Sequence, residues 1–137
     1  MPTKFNDLVE KVKSYTKFQQ VPVPFTDEEY GNFVVDGIRG LYVDTGNSSG
    51  FDKDFDVETK TFKTTLTTAE YEYVVNGALM GFCSLVQQDV NRLVGYSTDS
   101  LSITHADKPY ENISSEVERL KERQIEVFFV IESERVG

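Results

Sequence analysis

The chain has 137 residues, of which 39% are hydrophobic and 12% aromatic, and these values fit one domain with a sizeable apolar core. Its 14 lysines and arginines against 23 aspartates and glutamates give a formal charge of -9, which opposes binding to nucleic acid. The single cysteine, Cys83, excludes an internal disulfide and a multi-thiolate metal site. Packing of apolar side chains must therefore hold the fold together.

Membrane insertion and secretion are not indicated by the sequence. No apolar run approaches the roughly 20 residues that cross a bilayer. The N-terminal stretch "MPTKFNDLVEKVKSYTKF" is charged throughout and lacks the apolar region of a signal peptide. We expect a protein that is made in the cytosol and has no membrane partner.

Two helices are predicted in the first third of the chain. Apolar residues recur every three or four positions over residues 3–18, which is typical of an amphipathic helix. Thr26 and Glu29 form a capping-box pattern at the start of a second helix, predicted over residues 26–44 and ended by Gly46. The prolines in "QQVPVPF" predict a stiff connector between the two.

The middle of the chain predicts an irregular segment followed by a long helix. Residues 46–66 are polar and partly alternating, which favours a loop with some hairpin. Thr67 and Glu70 repeat the capping-box pattern and open a helix predicted over residues 68–94, around which the others should pack. Asp89 falls near the apolar face of this helix, where it is either paired with an arginine or already in water.

The last third predicts a short extended segment and a final helix. Leu101 and Ile103 alternate with polar residues before the turn-forming "HADKP". Ser114 or Ser115 is the expected cap of the last helix. Its "VFFVI" stretch at residues 127–131 would also suit a strand, although the spacing favours a helix. The predicted fold class is mainly α, a small bundle around one long central helix, with a short extended arm or β-hairpin before the C-terminal helix.

The residues that could carry chemistry are better explained by structural roles. The acidic run "DKDFDVE" starts like a calcium loop, but Val57 stands where glycine is needed and Lys63 where the final glutamate is needed. Cys83 lies in mid-helix without a partnered base, and His105 has no accompanying nucleophile or metal ligands. We therefore predict no catalytic residues, no cofactor and no metal.

Glycines recur inside the two best helices. Each lowers helix stability by about 1 kcal/mol relative to alanine, so some contact should compensate. Close packing between helices of one subunit and contact with a neighbouring subunit are both possible explanations. The residues concerned are Gly31, Gly37, Gly40, Gly77 and Gly81.

Three segments of the chain resemble the head-tail connector family of long-tailed phages, also called adaptor or head-completion proteins. They are "FTDEEYGNFVVDGIRGLYVDTGN", "TTAEYEYVVNGALMGF" and "QQDVNRLVGYSTDSLSITHADKPYEN", which together span about residues 26 to 112. The resemblance implies one helical connector domain over residues 1–137. It would have a possible extended arm at 96–110, or an ordinary connector there, and a C-terminal docking segment at 125–137.

The same resemblance implies a structural role in the virion without catalysis. The expected partners are further copies of the chain in a ring of about twelve, the portal protein, and a stopper or tail-completion protein. DNA would pass through the channel without sequence-specific binding. The expected location is the head-tail interface of the virion, and the host cytoplasm during assembly.

The alternative function is a non-enzymatic cytosolic module that binds or regulates another protein through a helical surface.

Candidate interface residues follow from the expected ring and its docking on the portal. Candidate contacts between subunits are Gly77, Gly81, Leu101, Ile103, Asp107 and Tyr110. Candidate contacts with the portal are Phe128, Phe129, Ile131 and Arg135.

Overall fold

The computed structural model describes residues 2–18, 25–88 and 107–136, without the side chains of 16–18, 86–88, 107–114 and 135–136. Over these ranges the protein is mainly helical, as predicted, with five helices and one two-stranded sheet. The elements are α1 (Phe5–Phe18), α2 (Asp27–Asp44), α3 (Gly50–Asp54), β1 (Phe55–Asp56), β2 (Thr61–Phe62), α4 (Thr68–Gln88) and α5 (Asp107–Val136). The connector predicted before α2 falls largely outside the described residues.

Helix α2 begins and ends where the sequence predicts. The backbone N–H of Thr26 donates to Glu29 Oε1 at 3.1 Å, and the backbone N–H of Glu29 donates to Thr26 Oγ1 at 3.2 Å, which completes the capping box. At the other end, Thr45 Oγ1 donates to the Leu41 carbonyl at 2.7 Å. Gly46 follows with a φ of 75°, a left-handed conformation that glycine adopts without strain.

Helix α4 is the centre of the bundle, in contact with α1, α2 and α5. Its start is fixed by the same device, since the backbone N–H groups of Thr67 and Glu70 each donate to the other's side chain, at 3.0 and 3.2 Å. Val74, Ala78 and Phe82 are fully buried along it. The described helix ends at Gln88, and the pairing of Asp89 lies outside the described residues. Helix α5, with 30 residues, is the longer of the two.

The glycines of α2 and α4 allow these two helices to approach closely within one subunit. A Cβ on Gly37 would lie 2.5 Å from the carbonyl oxygen of Val74, and one on Gly77 would lie 3.3 Å from the Cα of Gly37. A Cβ on Gly81 would lie 3.4 Å from the Phe33 ring. Intramolecular packing is therefore the explanation that the structure supports for these glycines. The assignment of Gly77 and Gly81 to a subunit interface stays a prediction.

Aromatic rings form two groups within the core, and the chain contains no tryptophan. One group joins the start of α2 to α4, and its ring centroids lie 5.2 to 6.4 Å apart. A second group joins α1 to α3 and the sheet. The first group is Phe25, Tyr30, Phe33 and Phe82; the second is Phe5, Phe51, Phe55 and Phe62.

The hairpin lies before α4, in the segment predicted as a loop with some hairpin. Strands β1 and β2 pair antiparallel, with Phe55 opposite Phe62 and Asp56 opposite Thr61. Phe55 and Phe62 point into the core and are 1% and 3% exposed. The hairpin or arm predicted between α4 and α5 falls mostly on residues 96–106, which lie outside the described residues.

Helix α5 begins earlier than predicted, at Asp107 instead of Ser114 or Ser115. Asp107 and Tyr110, which were assigned to an extended arm, therefore belong to the first turn of a helix. Pro109 is tolerated there because a first-turn residue has no intrahelical acceptor for its N–H. Residues 127–131 are helical, so the helical interpretation of "VFFVI" is confirmed.

The buried face of α5 explains why helix prevails over strand in that stretch. Leu120, Val127 and Ile131 are 1–2% exposed and lie on one stripe with the partly buried Gln124. Their spacing of three and four matches a helix. Valine and phenylalanine favour strands, but tertiary packing of such a stripe outweighs this intrinsic preference.

Candidate interaction surfaces

An apolar groove runs between α4 and α5, with a volume of about 420 Å³. Helix α4 contributes Tyr73 and Met80 to it, and α5 contributes Ile125, Phe128 and Phe129. Lys121 and Gln124 complete the lining. We refer to these seven residues as the α4/α5 groove.

The apolar side chains that α5 contributes to the groove are largely exposed to solvent. Ile125 is 60% and Phe129 66% exposed, whereas Phe128 is half-buried with its ring centroid 6.2 Å from that of Phe129. Val130 is 49% exposed but does not line the groove. Contiguous exposed apolar surface of this kind marks sites of interaction with another molecule.

The predicted docking residues separate into different environments. Phe128 and Phe129 lie together in the α4/α5 groove. Ile131 is 1% exposed and belongs to the core, so its assignment to a docking surface is wrong. The error arose because "FFVI" was taken as one apolar unit, although the helix turns each residue by 100° and directs Ile131 inward. The side chain of Arg135 lies outside the described residues.

The floor of the groove is held by hydrogen bonds between three helices. Gln124 Nε2 donates to the carbonyl oxygen of Tyr73 at 2.9 Å, and Tyr73 Oη donates to Asp44 Oδ2 at the end of α2 at 2.5 Å. The pKa of Tyr73 is raised above its ordinary value, mainly because the hydroxyl is buried and also because it donates a hydrogen bond to Asp44. The buried Gln124 Oε1 has no donor among the residues that the structure describes.

A second, more polar groove of about 450 Å³ lies between α1, α4 and α5. Three cationic side chains line it, Lys11, Arg119 and Arg123, in a chain of net charge -9. Arg119 pairs with Glu116. Arg123 binds both carboxylate oxygens of Glu72, at 2.5 and 3.1 Å, and also Glu126 at 2.9 Å. Internal carboxylates therefore already neutralise the two arginines.

The ion pair with Arg123 sets the electrostatics of this second groove. The guanidinium lowers the pKa of Glu72 through the hydrogen bonds and the charge of Arg123. Asn76 is 8% exposed, and its Nδ2 has no acceptor within hydrogen-bond geometry in the described part of the chain. This groove joins α5 to α4 by charge, whereas the α4/α5 groove leaves apolar surface open.

The acidic run before α4 has structural roles at two of its carboxylates. Asp54 Oδ2 accepts a hydrogen bond from Tyr42 Oη at 3.0 Å. Asp56 Oδ1 accepts from the backbone N–H groups of Glu58 at 3.0 Å and Thr59 at 3.3 Å, which closes the hairpin turn and lowers the Asp56 pKa. The run therefore lies in α3, β1 and the hairpin turn, where these two carboxylates support the local structure.

The remaining candidates for chemistry are a buried thiol and a histidine that the structure does not describe. Cys83 is fully buried, and burial raises the pKa of its thiol to about 12. His105, like Leu101 and Ile103, lies outside the described residues. Within the described ranges, no three His, Cys, Asp or Glu side chains are grouped to hold a metal ion. None of the described helices is both long and apolar enough to cross a membrane.

The α4 side of the groove was not anticipated from the sequence. The sequence assigns Tyr73 to no face of the predicted helix, and Met80 belongs to no sequence motif. Ile125 offered a usable signal, because it lies off the stripe of Leu120, Val127 and Ile131 and so predicts an exposed apolar residue.

Comparison of the chain with protein-family models, with curated proteins and with solved structures finds no match.

Proposed function

We propose that this chain is a structural protein of a phage particle that forms a ring at the head-tail interface. It would dock on the portal, extend the DNA channel and carry the attachment surface for stopper or tail components. The observation that carries the proposal is the exposed apolar surface of Ile125 and Phe129 on the C-terminal helix, where the family resemblance expects portal docking. The proposed role involves no catalysis.

The placement of the resembling segments supports the proposal. The first forms α2 and the second forms most of α4, and these helices pack together at the Gly37 and Gly77 contact. Two of the three resembling segments thus form the centre of the bundle, whereas the third falls mostly outside the described residues. The negative net charge also suits a channel past which DNA must slide without adhering.

The proposal is tested by gradient sedimentation of a nuclease-treated lysate from the native source, followed with an antibody to this chain. A fixed number of copies should travel with DNA-filled particles and survive washing, because a ring has a defined stoichiometry. A chain that stays at the top of the gradient while particles are abundant would favour the cytosolic interaction module instead.

Paired variants connect this test to the surface. Phe129→Ser should reduce the copies per particle, whereas Val130→Ser should not, because only Phe129 lines the α4/α5 groove. Equal incorporation of both variants would remove the groove from the proposed docking role.

A further inference from the structure

We propose that the α4/α5 groove binds an amphipathic segment of another protein whose apolar side chains are flanked by basic residues. The inference deepens the docking role of Phe128 and Phe129, and rests on the proposed function only for the identity of the partner. Its basis is the combination of open apolar surface with carboxylates on the same face of α5 that pair with no cation among the described residues.

The apolar part of the groove has the form that a helix or short extended segment requires. Ile125, Phe128 and Phe129 stand at positions i, i+3 and i+4, so their side chains form one continuous surface on α5. Met80 and Tyr73 of α4 close the opposite side. A partner with two or three apolar side chains at helical spacing could lay them into this groove, which is a recurrent mode of peptide recognition.

The charge beside the groove selects a basic partner. Glu122 lies three residues before Ile125, and Glu132 three residues after Phe129, so both border the apolar surface. Neither has an ion-pair partner among the described residues, whereas Glu126 pairs with Arg123 at 2.9 Å. The one cation in the lining, Lys121, is paired with Glu118 at 3.8 Å. Among the described side chains, the charge left unpaired at the rim is therefore negative.

A second copy of this chain is a poorer occupant for the same reason. It would bring a charge of -9 to the contact and, in a two-fold symmetric pairing, an identical pair of rim glutamates. Like charges placed opposite each other at an interface disfavour the pairing. Lysine or arginine on the flanks of a foreign segment would instead pair with Glu122 and Glu132.

The test is a titration of the full chain with two labelled helical peptides, read by fluorescence anisotropy. The first peptide has leucines at i, i+3, i+4 and i+7 with lysines elsewhere, and the second replaces every lysine by glutamate. We expect the lysine peptide to bind at least about 10-fold more tightly than the glutamate peptide, with the preference shrinking as salt rises.

Variants show whether the groove itself is the site. Phe129→Ser should weaken binding of the lysine peptide at least about 10-fold, and Val130→Ser less than about 2-fold, because only the first removes a groove side chain. Ile125→Ser is a second variant with the same expected loss. Circular dichroism checks that all three remain folded, as expected for positions 49–66% exposed.

Several results would overturn the inference. These are equal affinity for both peptides, equal effects of Phe129→Ser and Val130→Ser, or no binding of the lysine peptide at millimolar concentration. Sedimentation equilibrium supplies another: a dimer of the wild type that Phe129→Ser abolishes and Val130→Ser preserves would assign the groove to a second copy. No phage particle enters these measurements, so a chain that binds the lysine peptide at the groove but never sediments with particles would overturn the proposed function alone.

Discussion

Gly37 and Gly77 face each other where α2 crosses α4, at a distance that leaves no room for a side chain on Gly37. A Cβ there would lie 2.5 Å from the backbone oxygen of Val74 and 3.2 Å from the backbone nitrogen of Ala78. Backbone atoms of a packed helix cannot move aside as the end of a flexible side chain can. The contact therefore sets the separation of the two helices.

Gly37→Ala should destabilise the fold by about 1–3 kcal/mol, because the strain of overpacking exceeds the gain of about 1 kcal/mol in helix propensity. Gly40→Ala is the matched control in the same helix, since nothing lies within 4 Å of its added Cβ. It should stabilise the protein by up to about 1 kcal/mol. Urea unfolding of both variants measures the difference, and a stabilised Gly37→Ala would contradict the close crossing.

Ile131 and Phe129 should lose very different amounts of stability on truncation, although they are two residues apart. Ile131→Ala should lower the free energy of unfolding by about 2–5 kcal/mol, because it opens a cavity in the core. Phe129→Ala should lower it by less than about 1 kcal/mol, because most of its ring is in water. Urea unfolding midpoints at constant slope test both values, and a large loss for Phe129→Ala would mean that the ring is covered.

The Cys83 thiol should be unreactive in the folded protein. Its pKa of about 12 leaves almost no thiolate near pH 8, and burial blocks access to what there is. Addition of Ellman's reagent should give no fast phase until the protein is unfolded in urea, where one thiol per chain should react at once. Rapid reaction of the native chain would show that the helix around Cys83 opens readily.

Glu72 should stabilise the protein more at neutral than at acidic pH. Arg123 lowers the pKa of Glu72 below its ordinary value of 4.5, so the folded state holds the ionised form more strongly than the unfolded state does. This contribution is present above pH 4.5 and is lost as the pH falls through the lowered value. The stability difference between wild type and Glu72→Gln should therefore shrink below pH 4.5.

Salt provides the control for that ion pair. Both side chains are partly exposed, so the difference between wild type and Glu72→Gln at pH 7 should also shrink with rising ionic strength. A difference that stayed constant with both pH and salt would indicate that Glu72 acts through packing alone.

The starts of α2 and α4 could be predicted from the sequence because their causes are local. A capping box is recognised within four consecutive residues, and the chain has two, Thr26 with Glu29 and Thr67 with Glu70. The start of α5 could not be predicted in this way, since Pro109 is compatible both with a turn and with the first turn of a helix. Which glycine meets which helix depends on tertiary contact, so the pairing of Gly37 with Gly77 required the structure.

The candidate site was predictable only in part, for a related reason. Periodicity marks Phe128 and Phe129 as apolar residues near the C-terminus, but their exposure depends on what α4 places opposite them. Ile131 was misassigned because hydrophobicity was read along the chain and not around the helix. Met80 and Tyr73 reach the groove from a different helix, and no spacing along the sequence connects them with Ile125.

Tyr73 connects the groove to a distant part of the molecule. Its hydroxyl donates a hydrogen bond to Asp44 at the end of α2, and its carbonyl oxygen accepts one from the Gln124 side chain of α5. The same residue lines the groove. An occupant that displaces the Tyr73 side chain would break its hydrogen bond to Asp44, the last residue of α2. If occupancy breaks that bond, the groove and the bond are thermodynamically linked, so a change that weakens the bond raises the affinity of the groove by the factor by which occupancy weakens the bond.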